Sequence, residues 1–129
     1  KDNSNGEEDS VSEVLSKVGL LDRIEQRSGD LSYGHQRLLE LAMGMAQKPK
    51  LLILDEPTQG LSDSEIENFK KLIKDISSST TILLIEHNMD VVMSIADNIS
   101  VLHFGEIIAD GDKETIQNDP IVQKAYLGD

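Results

Sequence analysis

The sequence predicts an α/β chain built on short parallel strands with flanking helices, and three observations carry that prediction. Residues 51–54 (Leu-Leu-Ile-Leu) and 81–85 (Thr-Ile-Leu-Leu-Ile) are apolar runs too short for helices. Their length and continuity are those of strands buried on both faces of a parallel sheet. The stretches around them space their apolar residues at helical intervals, and strands alternating with helices imply parallel pairing with right-handed crossovers. Each run also stops abruptly, at Asp55-Glu56-Pro57 and at Glu86-His87-Asn88. These are the carboxyl ends of the strands, where open α/β sheets place ligand chemistry.

The chain has 129 residues, 38% of them hydrophobic, with two Phe, two Tyr and no Trp. That supports one α/β domain with an aliphatic core. A formal charge of −12 argues against a nucleic-acid surface, because no Lys/Arg cluster exists to neutralise phosphates. Without Cys there is no disulfide or thiolate-metal site, which fits a reducing compartment. Apolar runs are too short to span a bilayer, so no direct membrane insertion is expected, and no signal peptide is visible. The first residue is Lys1 rather than Met, which raises the expectation of a fragment or a processed product.

Residues 1–9 read as a mobile acidic tail. Ser10 and Glu13 have the spacing of a capping box, and Val11, Val14, Leu15 and Val18 form a helical stripe ended by Gly19. A turn over Leu20 to Ile24 and a polar loop closing at Gly29-Asp30 lead to a second helix. It runs from Gly34 to about Gln47 and is stopped by Lys48-Pro49. After the strand at 51–54, Ser62 and Glu65 form another capping box, and Ile66, Phe69, Ile73 and Ile76 give the buried face of that helix. Ser77 to Thr80 loops into the strand at 81–85, and a short helix follows around Met89 to Ala96. A strand from Ile99 to Phe104 turns at Gly105 into another from Ile107 to Asp110, before two short helices around Glu114–Gln117 and Pro120–Leu127.

Chemistry-bearing residues gather at the strand and helix ends. Asp55 and Glu56 point to opposite sides of a strand, so one can serve a metal ion and the other a water. Leu31-Ser32-Tyr33-Gly34 stands before a helix, where a hydroxyl, backbone N–H groups and the helix dipole make an anion site. The same residues also read as a plain Ser N-cap with a loop Gly. His87, two residues beyond its strand, reads either as a catalytic group or as a helix-entry residue. Thr58-Gln59-Gly60-Leu61-Ser62 reads on its own as a turn and N-cap.

In order and spacing these pieces resemble the second half of an ABC-type ATPase. A signature loop, a helix, a Walker B strand with Asp-Glu-Pro, a short loop and a strand ending in Glu-His follow one another over Leu31 to Gly111. Leu31-Ser32-Tyr33-Gly34, Ile85-Glu86-His87-Asn88-Met89-Asp90 and Ala125-Tyr126-Leu127-Gly128 look like ATPase subunits of branched-chain amino-acid importers. The resemblance implies a partial RecA-like parallel sheet with part of the ABC helical subdomain at 10–47 and the carboxyl-terminal part of the ATPase core at 48–129. It implies that Asp55 holds Mg²⁺ through water and that Glu56 orients or deprotonates the attacking water. His87 would contact the γ-phosphate. Ser32, Tyr33, Gly34 and His35 would meet ATP in trans across a head-to-tail dimer with a second ATP-binding subunit. Gly60, Leu61 and Ser62 would form the loop crossing that interface. Membrane permease subunits would be the other partners, and the location cytoplasmic, peripheral on the inner face of the cell membrane.

Several positions depart from the family pattern. His35 stands where the signature usually has Gln, Leu38 and Met43 where arginines are common, and Ser62 where the crossing loop has Asp or Asn. His103 reads as structural. No Gly-x-x-x-x-Gly-Lys-Ser/Thr exists, so the phosphate-binding loop and its strand are expected upstream of this chain. In the family that strand lies between the strands at 81–85 and 99–104. The isolated chain is expected to be inactive, and either to self-associate through the open edges or to pair 81–85 directly with 99–104. A non-transport ABC ATPase and a non-catalytic regulatory or interaction half-domain are the alternatives.

Overall fold

The computed structural model describes the backbone of residues 4–127 and the side chains of residues 10–126. The chain divides into two compact units, residues 1–85 and 86–129. The division falls after the second strand. The reason lies in the core of the first unit. Val18 and Leu20, beyond the first helix, and Ala42 of the second are buried together, with Leu72 of the third packed against them. One apolar cluster therefore joins segments from both sides of residue 48.

In the first unit, α1 (Ser4–Lys17) begins six residues before Ser10. Ser10 thus lies inside the helix rather than at its N-cap, and residues 4–9 of the expected tail are helical. An acidic sequence suits the amino end of a helix, where it faces the positive end of the macrodipole. Gly19, at φ +74°, closes α1 in the left-handed conformation that favours glycine. Two short 3₁₀ turns, Leu21–Arg23 and Ser28–Asp30, lead to α2 (Tyr33–Ala46), whose N-cap is Ser32. β1 (Leu51–Asp55) is followed by α3 (Asp63–Ile76), with Phe69, Ile73 and Ile76 buried. The run Ser77-Ser78-Ser79 closes α3, each hydroxyl donating to a carbonyl three residues back, those of Lys74, Asp75 and Ile76. The carbonyls of Asp75 and Ile76 also accept the backbone N–H groups of Ser78, Ser79 and Thr80, so the last turn of the helix is closed by both main chain and hydroxyls.

β2 (Thr81–Ile85) pairs with β1 in parallel, Leu51 opposite Thr81 through Asp55 opposite Ile85. The expectation that these strands are buried on both faces does not hold for the described residues. Leu52 is buried, against Gly44 of α2. Leu51, Ile53, Leu83 and Ile85, on the opposite face, are exposed at 51, 58, 50 and 47%. An apolar run records that a strand avoids water, but not which segment covers it.

In the second unit, α4 (Met89–Ile95) leads to β3 (Ile99–His103) and β4 (Glu106–Gly111), an antiparallel hairpin with a bulge beside Val101/Leu102. The parallel pairing expected of strands joined through helices holds for β1–β2, and the turn expected at Gly105 makes this pair an antiparallel hairpin. Direct pairing of 81–85 with 99–104 is absent, since β2 and β3 belong to separate two-stranded sheets. The hairpin turn is Phe104-Gly105, at φ +46° and +81°, the signs that a type I′ turn requires. α5 (Lys113–Gln117) and α6 (Pro120–Val122) follow, capped by Asp112 and Asp119, and the chain widens into a π turn over Gln123–Leu127. Ile99, Val101, Ile116 and Val122 form the core of this unit. His103 lies edge-on to both Phe104 and Tyr126, ring centroids 4.5 and 5.6 Å away, in a packing role.

Candidate functional site

The site is assembled in the first unit, where the end of β1 meets the amino ends of α2 and α3. Ser32 caps α2 by accepting the His35 N–H on its hydroxyl oxygen, and Gln36 N–H donates to the Ser32 carbonyl. The earliest N–H groups of a helix have no intrahelical acceptor. Those of α2 belong to Tyr33 and Gly34, and the macrodipole adds positive potential there. Both expectations for Ser32 are thus compatible: it is an N-cap, and the helix it caps presents an anion-favouring end.

Asp55 closes β1 with an exposed side chain, and Glu56 begins the loop. Glu56 has φ +45°, uncommon for a residue with a long side chain. Its N–H donates to Ile85 O at 2.8 Å, and its carbonyl accepts from Gln59 N–H at 3.2 Å and from Arg37 Nη2 at 2.9 Å. The loop then passes buried Thr58, whose carbonyl accepts the Leu61 N–H, and reaches the capping box of α3. There Ser62 N–H donates to Glu65 Oε2 at 2.8 Å while Glu65 N–H donates back to Ser62 Oγ at 3.4 Å.

Three contacts join this loop to the start of α2. Tyr33 Oη donates to Gln59 O at 3.2 Å, and the Tyr33 ring comes within 2.9 Å of where a Cβ on Gly60 would sit. Gly60 needs its bare Cα twice over, since its φ is +79°. A Cβ on buried Gly34 would collide with the Glu65 carboxylate, so the start of α2 lies close against α3 at a residue without a side chain. The Ser62 backbone N–H, then its hydroxyl, hold the Glu65 carboxyl below the ordinary range, with a smaller pull from His35.

Of the expected site residues, Ser32, Tyr33, Gly34, His35, Asp55, Glu56, Gly60, Leu61 and Ser62 all stand in this unit. His87 is exposed in the second unit, one residue before Asn88, the N-cap of α4. The sequence reading missed Arg37, Gln59 and the role of Glu65 against Gly34. The available signal for Arg37 was its spacing, four residues after Tyr33 on one helix face; its guanidinium carbon lies 5.9 Å from the Tyr33 ring centroid.

A Mg²⁺ ion is implied by the fold family. Among the described residues no group of three or more His, Cys, Asp or Glu is placed to hold a metal. A single exposed carboxylate such as Asp55 nevertheless fits Mg²⁺, which keeps several waters and takes one or two carboxylates plus substrate phosphates.

Residues 1–59 match a family model described as ABC transporter, and residues 106–129 one described as branched-chain amino acid ATP-binding cassette transporter. The chain is 44% identical over 117 residues to the high-affinity branched-chain amino acid transport ATP-binding protein LivG of Escherichia coli, covering 89% of this chain and 46% of that protein. It is 36% identical over 131 residues to the phosphate import ATP-binding protein PstB of Campylobacter jejuni, covering 97% of this chain and 53% of that one. The ADP conformation of MJ1267, an ATP-binding cassette of an ABC transporter, superposes with a TM-score of 0.86 at 28% identity, over all of this chain and 52% of that structure. The chain spans about half the length of the curated relatives it matches. Its α/β fold, its loop chemistry and these likenesses converge: the chain is similar to the ATP-binding proteins of ABC transporters over about half of their length.

Proposed function

We propose that this chain is the carboxyl-terminal half of an ATP-hydrolysing subunit that drives import of branched-chain or other hydrophobic amino acids through a membrane permease. The observation that supports the reading is the bond from Arg37 of α2 to the Glu56 carbonyl, with Tyr33 holding Gln59 and Gly60 and Gly34 packed on Glu65, so that the loop after Asp55-Glu56 is tied to the amino end of α2. Phosphoryl transfer needs positioning and charge stabilisation more than covalent chemistry, and these groups supply both. Glu56 orients or deprotonates the attacking water, and His87 contacts the γ-phosphate. Asp55 would hold Mg²⁺ through water; when bound, that ion neutralises charge on the phosphates. Ser32, Tyr33, Gly34 and His35 meet the nucleotide held by the other subunit of a head-to-tail dimer, and Gly60, Leu61 and Ser62 cross between the subunits.

The amino-acid assignment is supported by the branched-chain transport name of LivG and by the family match at 106–129. Among the described residues no helix is long and apolar enough to cross a membrane, consistent with a peripheral subunit on the cytoplasmic side. The phosphate-binding loop lies upstream, so the 129 residues alone are inactive. Reading the codons before Lys1 tests this. An open frame encoding Gly-x-x-x-x-Gly-Lys-Ser/Thr is expected, and a stop codon there would overturn the half-subunit reading. Co-purification of the complete product with a membrane permease tests the transport role, and its association with ribosomes instead would contradict it.

A further inference from the structure

The backbone of Glu56 is held from three directions, and one of them is not part of the strand or its turn. The bonds to Ile85 and Gln59 are main-chain bonds of the β1 end. The bond from Arg37 Nη2 comes from α2, one turn beyond the Ser32-Tyr33-Gly34 segment. The Arg37 side chain is 25% exposed, and its Nη1 pairs with Glu40 at 2.9 Å. Its buried Nε has no hydrogen-bond partner among the described residues. A desolvated donor without an acceptor is unfavourable, so the bonds that Arg37 does make have to hold it in place. The carbonyl it grips belongs to a left-handed residue, whose side-chain direction depends on the peptide planes on either side.

We propose that Arg37 is a positioning residue, which fixes the direction of the Glu56 carboxylate from the helix whose amino end meets the nucleotide. The proposal rests on the catalytic reading of Glu56. Through Arg37, a shift of the signature segment reaches the Glu56 peptide within the same chain. Contact with the partner subunit's nucleotide and readiness for hydrolysis at this chain's own carboxylate are thereby linked.

The test uses the product of the complete reading frame, comparing Arg37→Ala, Arg37→Lys, Glu40→Gln and Glu56→Gln. Steady-state ATP hydrolysis and amide hydrogen exchange over residues 56–59 are measured together. Arg37→Ala is expected to lower kcat roughly 10–100-fold, as loss of a supporting group does, with KM for ATP within about twofold. Exchange at 56–59 should quicken about tenfold as a charged hydrogen bond is lost. Arg37→Lys should fall between Ala and wild type in both readouts, and Glu40→Gln, which removes only the outer partner, should stay near wild type. A wild-type kcat for Arg37→Ala, or a KM that rises in step with the fall in kcat, would overturn the proposal. Should Arg37→Ala fail to fold, Arg37→Lys decides: a lowered kcat with faster exchange supports the proposal, and wild-type values overturn it. Normal hydrolysis by Glu56→Gln would instead overturn the catalytic reading beneath it, a separate outcome from Arg37→Ala working normally while Glu56→Gln is dead.

Discussion

Tyr33 and Gln59 are 26 residues apart, yet the Tyr33 hydroxyl donates to the Gln59 carbonyl at 3.2 Å. The ring at the same time covers Gly60. One aromatic side chain thus ties the start of α2 to the loop leading into α3. Tyr33→Phe should keep the ring contact and lose the hydroxyl bond, lowering stability by about 0.5–1.5 kcal/mol. Urea unfolding of wild type and variant measures this. An unchanged midpoint would mean that the bond adds nothing beyond the packing.

Gly34→Ala should destabilise, although Ala is normally the better helix residue by about 1 kcal/mol. Its methyl would occupy the place of the Glu65 carboxylate and force that side chain from Ser62. The melting temperature should fall, and Glu65→Ala added to Gly34→Ala should cost less than the two separately. Full additivity would show that the two sites do not share the contact.

Phe104 combines a φ of +46° with 95% exposure. A bulky residue is unfavourable in the first central position of a type I′ turn, where Asn is preferred. Phe104→Asn should therefore stabilise the second unit by about 1 kcal/mol, the lower end of the cost of left-handed strain. Thermal melts of the two proteins decide it, and a lower melting temperature in the variant would show that the Phe104 ring against His103 outweighs the strain.

Acid should weaken one helix start in each unit. Glu65 is held below its ordinary 4.5 chiefly by the Ser62 backbone N–H, and Asp112 below its ordinary 3.8 chiefly by the Thr115 hydroxyl. A carboxyl with a lowered pKa in the folded state stabilises fully above its unfolded pKa and loses that contribution as pH falls through the folded one. The loss should therefore begin near pH 4.5 for Glu65 and near 3.8 for Asp112. Urea midpoints recorded from pH 6 down to 3 should drop less steeply in Glu65→Gln and in Asp112→Asn, which keeps a cap acceptor without the charge. Wild-type slopes in both variants would contradict the capping origin of the shifts.

Local chemistry was legible and tertiary cover was not. The Ser62/Glu65 box, the Ser32 cap and the strand ends depend on spacing within a few residues, and the structure places them as the spacing indicates. Ser10 and Glu13 have the same box spacing, but α1 runs through them from Ser4; a capping pattern marks a helix start only where the chain upstream is not itself helical. The exposure of Leu51 and Ile53 depends on which segments lie above β1, information absent from the run itself. Phe104 was read into a strand because its side chain favours one, while the hairpin assigns it to the turn. The spacing of Arg37 from Tyr33 was legible, but its bond to position 56 was not, because the partner is a backbone carbonyl that any residue there would offer.

The most direct measurement is ATP binding and steady-state ATP hydrolysis on one preparation of the complete-frame protein, wild type against Glu56→Gln. Asp55 and Glu56 have separate duties in the proposed site, one on the ion and one on water. Removing the base should therefore lower kcat by about 10²–10⁴-fold while ATP affinity stays near that of wild type. Near-normal hydrolysis by Glu56→Gln, or a loss of ATP binding equal to the loss of turnover, would contradict the role assigned to Glu56.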